Sequence, residues 1–203
     1  MNTFLEIIEK AAIIIASITA IYGINSWRRE TTWKRKYELA EEVLSLFYEV
    51  RENLKLIRSP FSFTNEGSSR KKSENETAQE TEKYNEAYVY IERYEKLKEP
   101  FIKLKTLKYR FMAVFGKQCE FSFDEVQDCL GTVLATYDLL CNHYWKKERT
   151  APKSQEHLES LVEKIESLES IIWSNTSDND EIDKRISDAI NKIEEIVRNI
   201  IKK

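Results

Sequence analysis

His143 and His157 are the side chains in this 203-residue chain best suited to moving protons near neutral pH. Lys146, Lys147, Arg149 and Lys153 stand close to them in sequence. An imidazole beside such cations can take the proton of an RNA 2'-hydroxyl while Arg or Lys offsets charge on the phosphate, with no metal ion required. His157 would be the acid-base group and Arg149 or Lys153 the phosphate contact. The plainer reading, two polar side chains at a helix boundary, carries more weight.

Other chemistry is sparse. Cys119, Cys129 and Cys141 are odd in number and have no metal-ligand spacing with either histidine. Cys129 and Cys141 fall on an apolar helical stripe, where cysteine acts as a small hydrophobe. No glycine-rich phosphate loop is present, and nothing in the sequence calls for a metal or another cofactor. The net charge of -3 excludes a surface that traps nucleic acid as a whole, so any RNA binding must be local.

With only 4 Gly and 3 Pro beside 33% charged residues, the elements that must position these groups are helices, and the fold class is all-α. The length suits one soluble domain plus an appendage. That appendage is residues 1–27. Ala11 to Ile24 carries no charge but rises only about 21 Å, short of a hydrocarbon core of about 30 Å. Extending the helix from Phe4 to Trp27 gives about 36 Å, enough to span.

The flanks separate this segment from a secretory signal or a buried core helix. A signal begins with a basic stretch, whereas here Glu6, Glu9 and Lys10 come first and the positive cluster follows. Arg28, Arg29, Lys34, Arg35 and Lys36 are opposed within their stretch only by Glu30, while Trp27 and Trp33 suit the headgroup level. The expected arrangement is a spanning helix with its N-terminus outside and residues 28–203 in the cytoplasm, with an interfacial or buried helix as the alternative. Ala12, Ala16 and Ala20 recur every fourth residue and Gly23 continues the line, so a second copy can approach closely on that face. Glu9 lies one turn above it and Glu6 a further turn up. In an assembly these carboxylates can face a shared aqueous axis; otherwise they lie in the headgroups.

From Tyr37 the apolar spacing predicts helix until Ser59-Pro60, with no breaker after Trp27, so span and domain read as one rod. Residues 60–83 read as a polar, mobile loop in which Arg70, Lys71 and Lys72 are solvated or contact an anion. A second helix carries Tyr84, Ala87, Tyr88, Ile91, Tyr94 and Leu97, and Pro100 marks a kink or fresh start before a stripe ending at Gly116. Ser122 to Glu125 fits a capping box opening a helix that runs through Val126, Leu130, Tyr137 and Leu140 to Trp145 and forms the centre of the domain. Two amphipathic helices follow, one through Leu158, Ile165 and Ile172, the other from Ile182 to Ile201. They are expected to form an antiparallel hairpin or to pack between subunits.

The apolar N-terminal helix, the Trp-flanked basic stretch WRRETTWKRKYELAEEVL and the phrase IRSPFSFTNEGSSR together resemble a group of small bacterial membrane-anchored helical proteins, the membrane accessory proteins of RNA-targeting type VI-B CRISPR-Cas systems. The resemblance covers about residues 5 to 145 and lies in layout and phrase. It implies a divergent HEPN-like helical domain, a homo-oligomeric ring-shaped pore in the bacterial inner membrane, and a functional link to an RNA-guided effector in phage defence. Active HEPN ribonucleases carry an Arg-x4-6-His pattern. Here the fifth residue before His157 is Pro152, the fifth before His143 is Asp138, and Arg149 stands too far upstream of His157. Misplaced groups cannot meet one phosphate in a reactive geometry. The first expectation is therefore a non-enzymatic pore or depolarising effector, followed by a membrane-anchored ribonuclease and by a scaffold for a cytoplasmic partner.

Overall fold

The computed structural model describes residues 2–74, 76–141, 154–174 and 180–201, the side chains of residues 2–6, 83 and 157 excepted. Among these residues six α-helices follow in chain order: α1 (Asn2–Ile57), α2 (Ala78–Leu97), α3 (Glu99–Phe115), α4 (Glu120–Leu139), α5 (Gln155–Ile172) and α6 (Glu181–Ile201), with a short 3-10 turn (Lys117–Cys119) before α4. Among the described residues there is no strand.

Helix α1 is the organising element. Its 56 residues contain no proline and one glycine, so nothing interrupts a rod of about 84 Å. Ser59-Pro60 stops it because the residue before proline is driven out of the helical region. The first buried residue along it is Leu39; Leu39, Val43, Phe47, Val50 and Leu54 then enter the main core. There they meet Phe101, Leu104 and Phe111 of α3, Phe123, Val126 and Val133 of α4, and Ile186, Ile190, Ile193 and Val197 of α6. The Phe47 and Phe123 rings pack edge to face at 5.1 Å, and Phe111 lies 5.5 Å from Phe123. The distal half of α1 thus shares the centre of the domain with α4.

A smaller cluster joins Val89 and Tyr90 of α2 to Tyr137 and Leu140 at the end of α4, and to Leu168 and Ile172 of α5. Gly116 closes α3 at φ 97°, and Pro100 sits in the first turn of α3, so the proline marks a fresh start.

Three expectations change. Helix α4 begins at Glu120, with Cys119 at its N-cap making no side-chain cap, so the proposed capping box does not form. Ser122 is instead buried inside the first turn, and Glu125 is drawn across to Arg185 of α6. On α2 the buried face is Val89, Tyr90 and Arg93, while Ile91 is 40% exposed. The apolar period alone does not predict an arginine on the inner face. Helices α5 and α6 do not pair as a hairpin: α6 packs on α1 and α4, and α5 packs on α4. Helical winding continues through Leu140 and Cys141, and the rest of the predicted run to Trp145 lies outside the described residues.

Helix α2 starts at Ala78, inside the stretch read as loop, with a Thr77–Glu80 capping box. The rest of that stretch is pinned by side chains. Gly67, at φ 78°, donates its N–H to Glu92 at 2.8 Å and presses so close that a Cβ there would lie 1.8 Å from the Asn85 carbonyl oxygen. Arg70 pairs with Glu76.

Several carboxylates here are held below their ordinary range. Arg93 does this to Glu66 and Arg51 to Asp183; a hydrogen bond from Lys96 takes Glu92 to about 2, and one from Arg70 takes Glu76 to about 2. Depressed values mean stabilisation that is complete above the unfolded carboxylate range of about 4 and is lost as pH falls through the folded values. The melting temperature of the domain is expected to be flat above about pH 5 and to drop toward pH 2. A flat profile down to pH 2 would show that these pairs contribute nothing.

Candidate membrane-spanning and assembly face

The N-terminal half of α1 is long and apolar enough to cross a membrane, and none of its candidate window is buried against the rest of the chain. Ile13, Ile14, Ile18, Ile21 and Trp27 are all more than half exposed. A stripped isoleucine-rich helix of this kind is stable only where something apolar surrounds it. Two of its hydroxyls are satisfied within the helix, Ser17 donating to the Ile13 carbonyl at 2.8 Å and Thr19 to the Ile15 carbonyl at 2.9 Å. Neither needs water, which suits a hydrocarbon setting.

The small residues face open space. Ala12, Ala16, Ala20 and Gly23 are exposed, and a Cβ placed on Gly23 would meet nothing within 4 Å. At about 100° per residue they project to the side of α1 opposite the one that the domain covers through Leu39, Val43, Phe47, Val50 and Leu54. Three- and four-residue steps carry the same line from Gly23 through Trp27, Glu30 and Lys34 to Glu38, Glu41, Ser45, Glu49 and Glu52, all exposed. The whole back of α1 is therefore free of the domain. Glu9 falls on this line; the side chain of Glu6 lies outside the described residues.

Between Trp27 and Leu39 the helix runs about 18 Å with no residue buried, and no other described element is packed on it. Arg28, Arg29 and Trp33 are exposed on this stalk, Trp33 stacking on Tyr37 at 5.4 Å. Membrane-interface residues predicted from the sequence thus sit where apolar rod gives way to charged rod.

The candidate ribonuclease pair is not brought together among the described residues. His143, Arg149 and Lys153 lie outside them, and His157 falls in the first turn of α5 with its side chain outside as well. The cysteines conform to the core reading: burial pushes the Cys129 thiol up to about 11 and raises that of Cys119, which keeps both protonated and unreactive. No group of three or more metal-ligating side chains occurs among the described residues.

Two buried arginines escape sequence reasoning. Arg58 is 1% exposed; it donates to the carbonyls of Ile171 at 2.9 Å and Trp173 at 3.0 Å and pairs with Asp180 at 3.0 Å, tying the end of α1 to the end of α5 and the start of α6. Arg93 binds the Ser59 carbonyl at 2.7 Å, the Phe61 carbonyl and Glu66, which fixes the loop after α1. This leaves Phe61 83% and Phe63 81% exposed. Beside that loop a cleft of about 1360 Å³ is lined by Tyr84, Tyr90, Tyr137 and Trp173, with Arg70 and Arg93 already committed to Glu76 and Glu66. No sequence signal marks either arginine: Arg93 stands between Glu92 and Tyr94 and Arg58 between Ile57 and Ser59, where a cation reads as an ordinary solvated helix residue.

Compared with protein-family models, with curated proteins and with solved structures, the chain finds no match.

Proposed function

We propose that the chain is a membrane-embedded effector and not an enzyme: copies associate through the small-residue face of α1 and the assembly permeabilises the bacterial inner membrane. The N-terminus lies outside, because the Arg28–Lys36 cluster favours the cytoplasmic side. The observation that carries the reading is the geometry of α1. Its small-residue face is open along its length and stands opposite the domain, so a second copy can approach without a clash between the cytoplasmic helices. Among the described residues Glu41 and Glu49 make no ion pair on the continuation of that face, and like charges there hold the cytoplasmic halves apart with water between them, as a ring with an aqueous centre requires. The resemblance to type VI-B accessory proteins supports a role in phage defence beside an RNA-guided effector.

A second reading, a scaffold for a cytoplasmic partner, is favoured by the exposed Phe61 and Phe63 on their fixed loop. The two separate in liposomes, since a scaffold releases no dye. Continuity of α1 makes a further demand. If the domain drives the span through a rigid rod, a double Thr31→Gly, Thr32→Gly substitution, which costs about 0.5 kcal/mol of helix propensity and adds backbone freedom on the bare stalk, introduces a hinge and lowers dye release. Release equal to that of the unaltered protein would remove rigid coupling from the account.

A further inference from the structure

The stalk carries a charge asymmetry that anchoring alone does not use. Of its cations, Lys34 lies on the back of α1 and reaches Glu38 at 4.0 Å. Among the described residues Arg28, Arg29, Arg35 and Lys36 have no acidic partner, and at about 100° per residue Arg28, Arg29 and Lys36 share the opposite side, the one that the domain covers farther along, with Arg35 on its flank. Arg28, Arg29, Thr32, Trp33 and Lys36 enclose a shallow concavity of about 340 Å³. It opens one residue past Trp27 and ends below Leu39, where the domain first touches the rod.

We propose that this concavity is a binding site for the phosphate of an anionic phospholipid headgroup, such as phosphatidylglycerol. Arg28 and Arg29 supply forked donors suited to a phosphate diester, Lys36 adds a cation from two turns farther along, and Thr32 offers a hydroxyl donor between them. Trp33 gives the site an apolar wall at the depth where indoles settle. The position selects the ligand. The site begins where the apolar rod ends, within the headgroup layer, and lies on the side of the rod that the domain covers farther along. Because the opposite face of α1 is the assembly face, a bound lipid sits on the outer wall of a ring. The inference therefore rests on the proposed membrane function for its setting, but not on pore formation.

The test uses the full chain reconstituted in nanodiscs of phosphatidylcholine with a minor share of phosphatidylglycerol, then released into mild detergent for native mass spectrometry. Wild type is expected to keep phosphatidylglycerol in preference to phosphatidylcholine. The Arg28→Gln, Arg29→Gln, Lys36→Gln triple variant is expected to lose that preference by about a hundredfold, at about fivefold per cation. Lys34→Gln, off the site and already paired, is expected to keep it. Equal retention by the triple variant, or equal loss in Lys34→Gln, would overturn the site. Displacement of the lipid by a short single-stranded RNA, with the same three residues required, would reassign it to nucleic acid and overturn the proposal. Complex mass is read in the same spectra. Lipid selectivity in a monomeric chain would sink the pore and leave the site standing, whereas a ring indifferent to lipid identity would do the reverse.

Discussion

An Arg58→Ala chain is expected to be about 3–5 kcal/mol less stable than wild type, a fall in melting temperature on the order of 10 °C for a protein of this size. The reason is the set of groups that alanine would abandon. Arg58 is 1% exposed and Asp180 6% exposed at their side chains, so removing the guanidinium leaves a carboxylate buried without its countercharge. The carbonyls of Ile171 and Trp173 lose their donors as well. Three elements are joined here, so the loss frees the ends of α5 and α6 together. Arg58→Lys is expected to recover only part of the stability, because one ammonium cannot present the separated donors of the guanidinium fork. An Arg58→Met, Asp180→Asn double variant removes both charges while keeping the side chain that accepts the Asp183 N–H at the start of α6, and is expected to lie much closer to wild type. Circular dichroism melts of detergent-solubilised protein decide the matter. A single alanine variant that melts with wild type would show that the pair carries no stability.

The second large effect is expected in the bilayer. Ala16→Leu and Ala20→Leu place bulk on a face that otherwise lets two backbones approach, at a cost of about 1–2 kcal/mol per interface. A ring closes only when every interface holds, so the losses compound, and dye release at fixed protein concentration is expected to fall more than tenfold for a cost of that size at each contact. Ile18 lies on the other side of the helix and is 62% exposed. Ile18→Ala is expected to leave release unchanged, which separates a packing face from general apolarity. Equal sensitivity at both positions would mean that the span works only as a greasy anchor.

The sequence made the helices and most of their inner faces readable, because periodic Leu, Val, Ile and Phe have one way to be buried. Leu39 through Ile57, Leu104 and Phe111, Val126 through Leu140, and Ile182 through Val197 all lie where their spacing places them. Continuity of α1 was legible from the lack of any breaker between Trp27 and Tyr37. Where the reading failed, polar side chains decided the outcome. The Ser122 box gave way because Glu125 is taken by Arg185, and the face of α2 turned because Arg93 is needed inside to hold the loop carbonyls. Such partners are distant in sequence and follow no period. The opposition between the small-residue face and the domain was countable from residue numbers, but it acquires meaning only once the covered side of α1 is known.

The mass of the detergent-solubilised chain tests the central claim most directly. A single closed oligomer of defined copy number, which Ala16→Leu breaks down, is the expected result. A stable monomer that leaves liposomes sealed would contradict it.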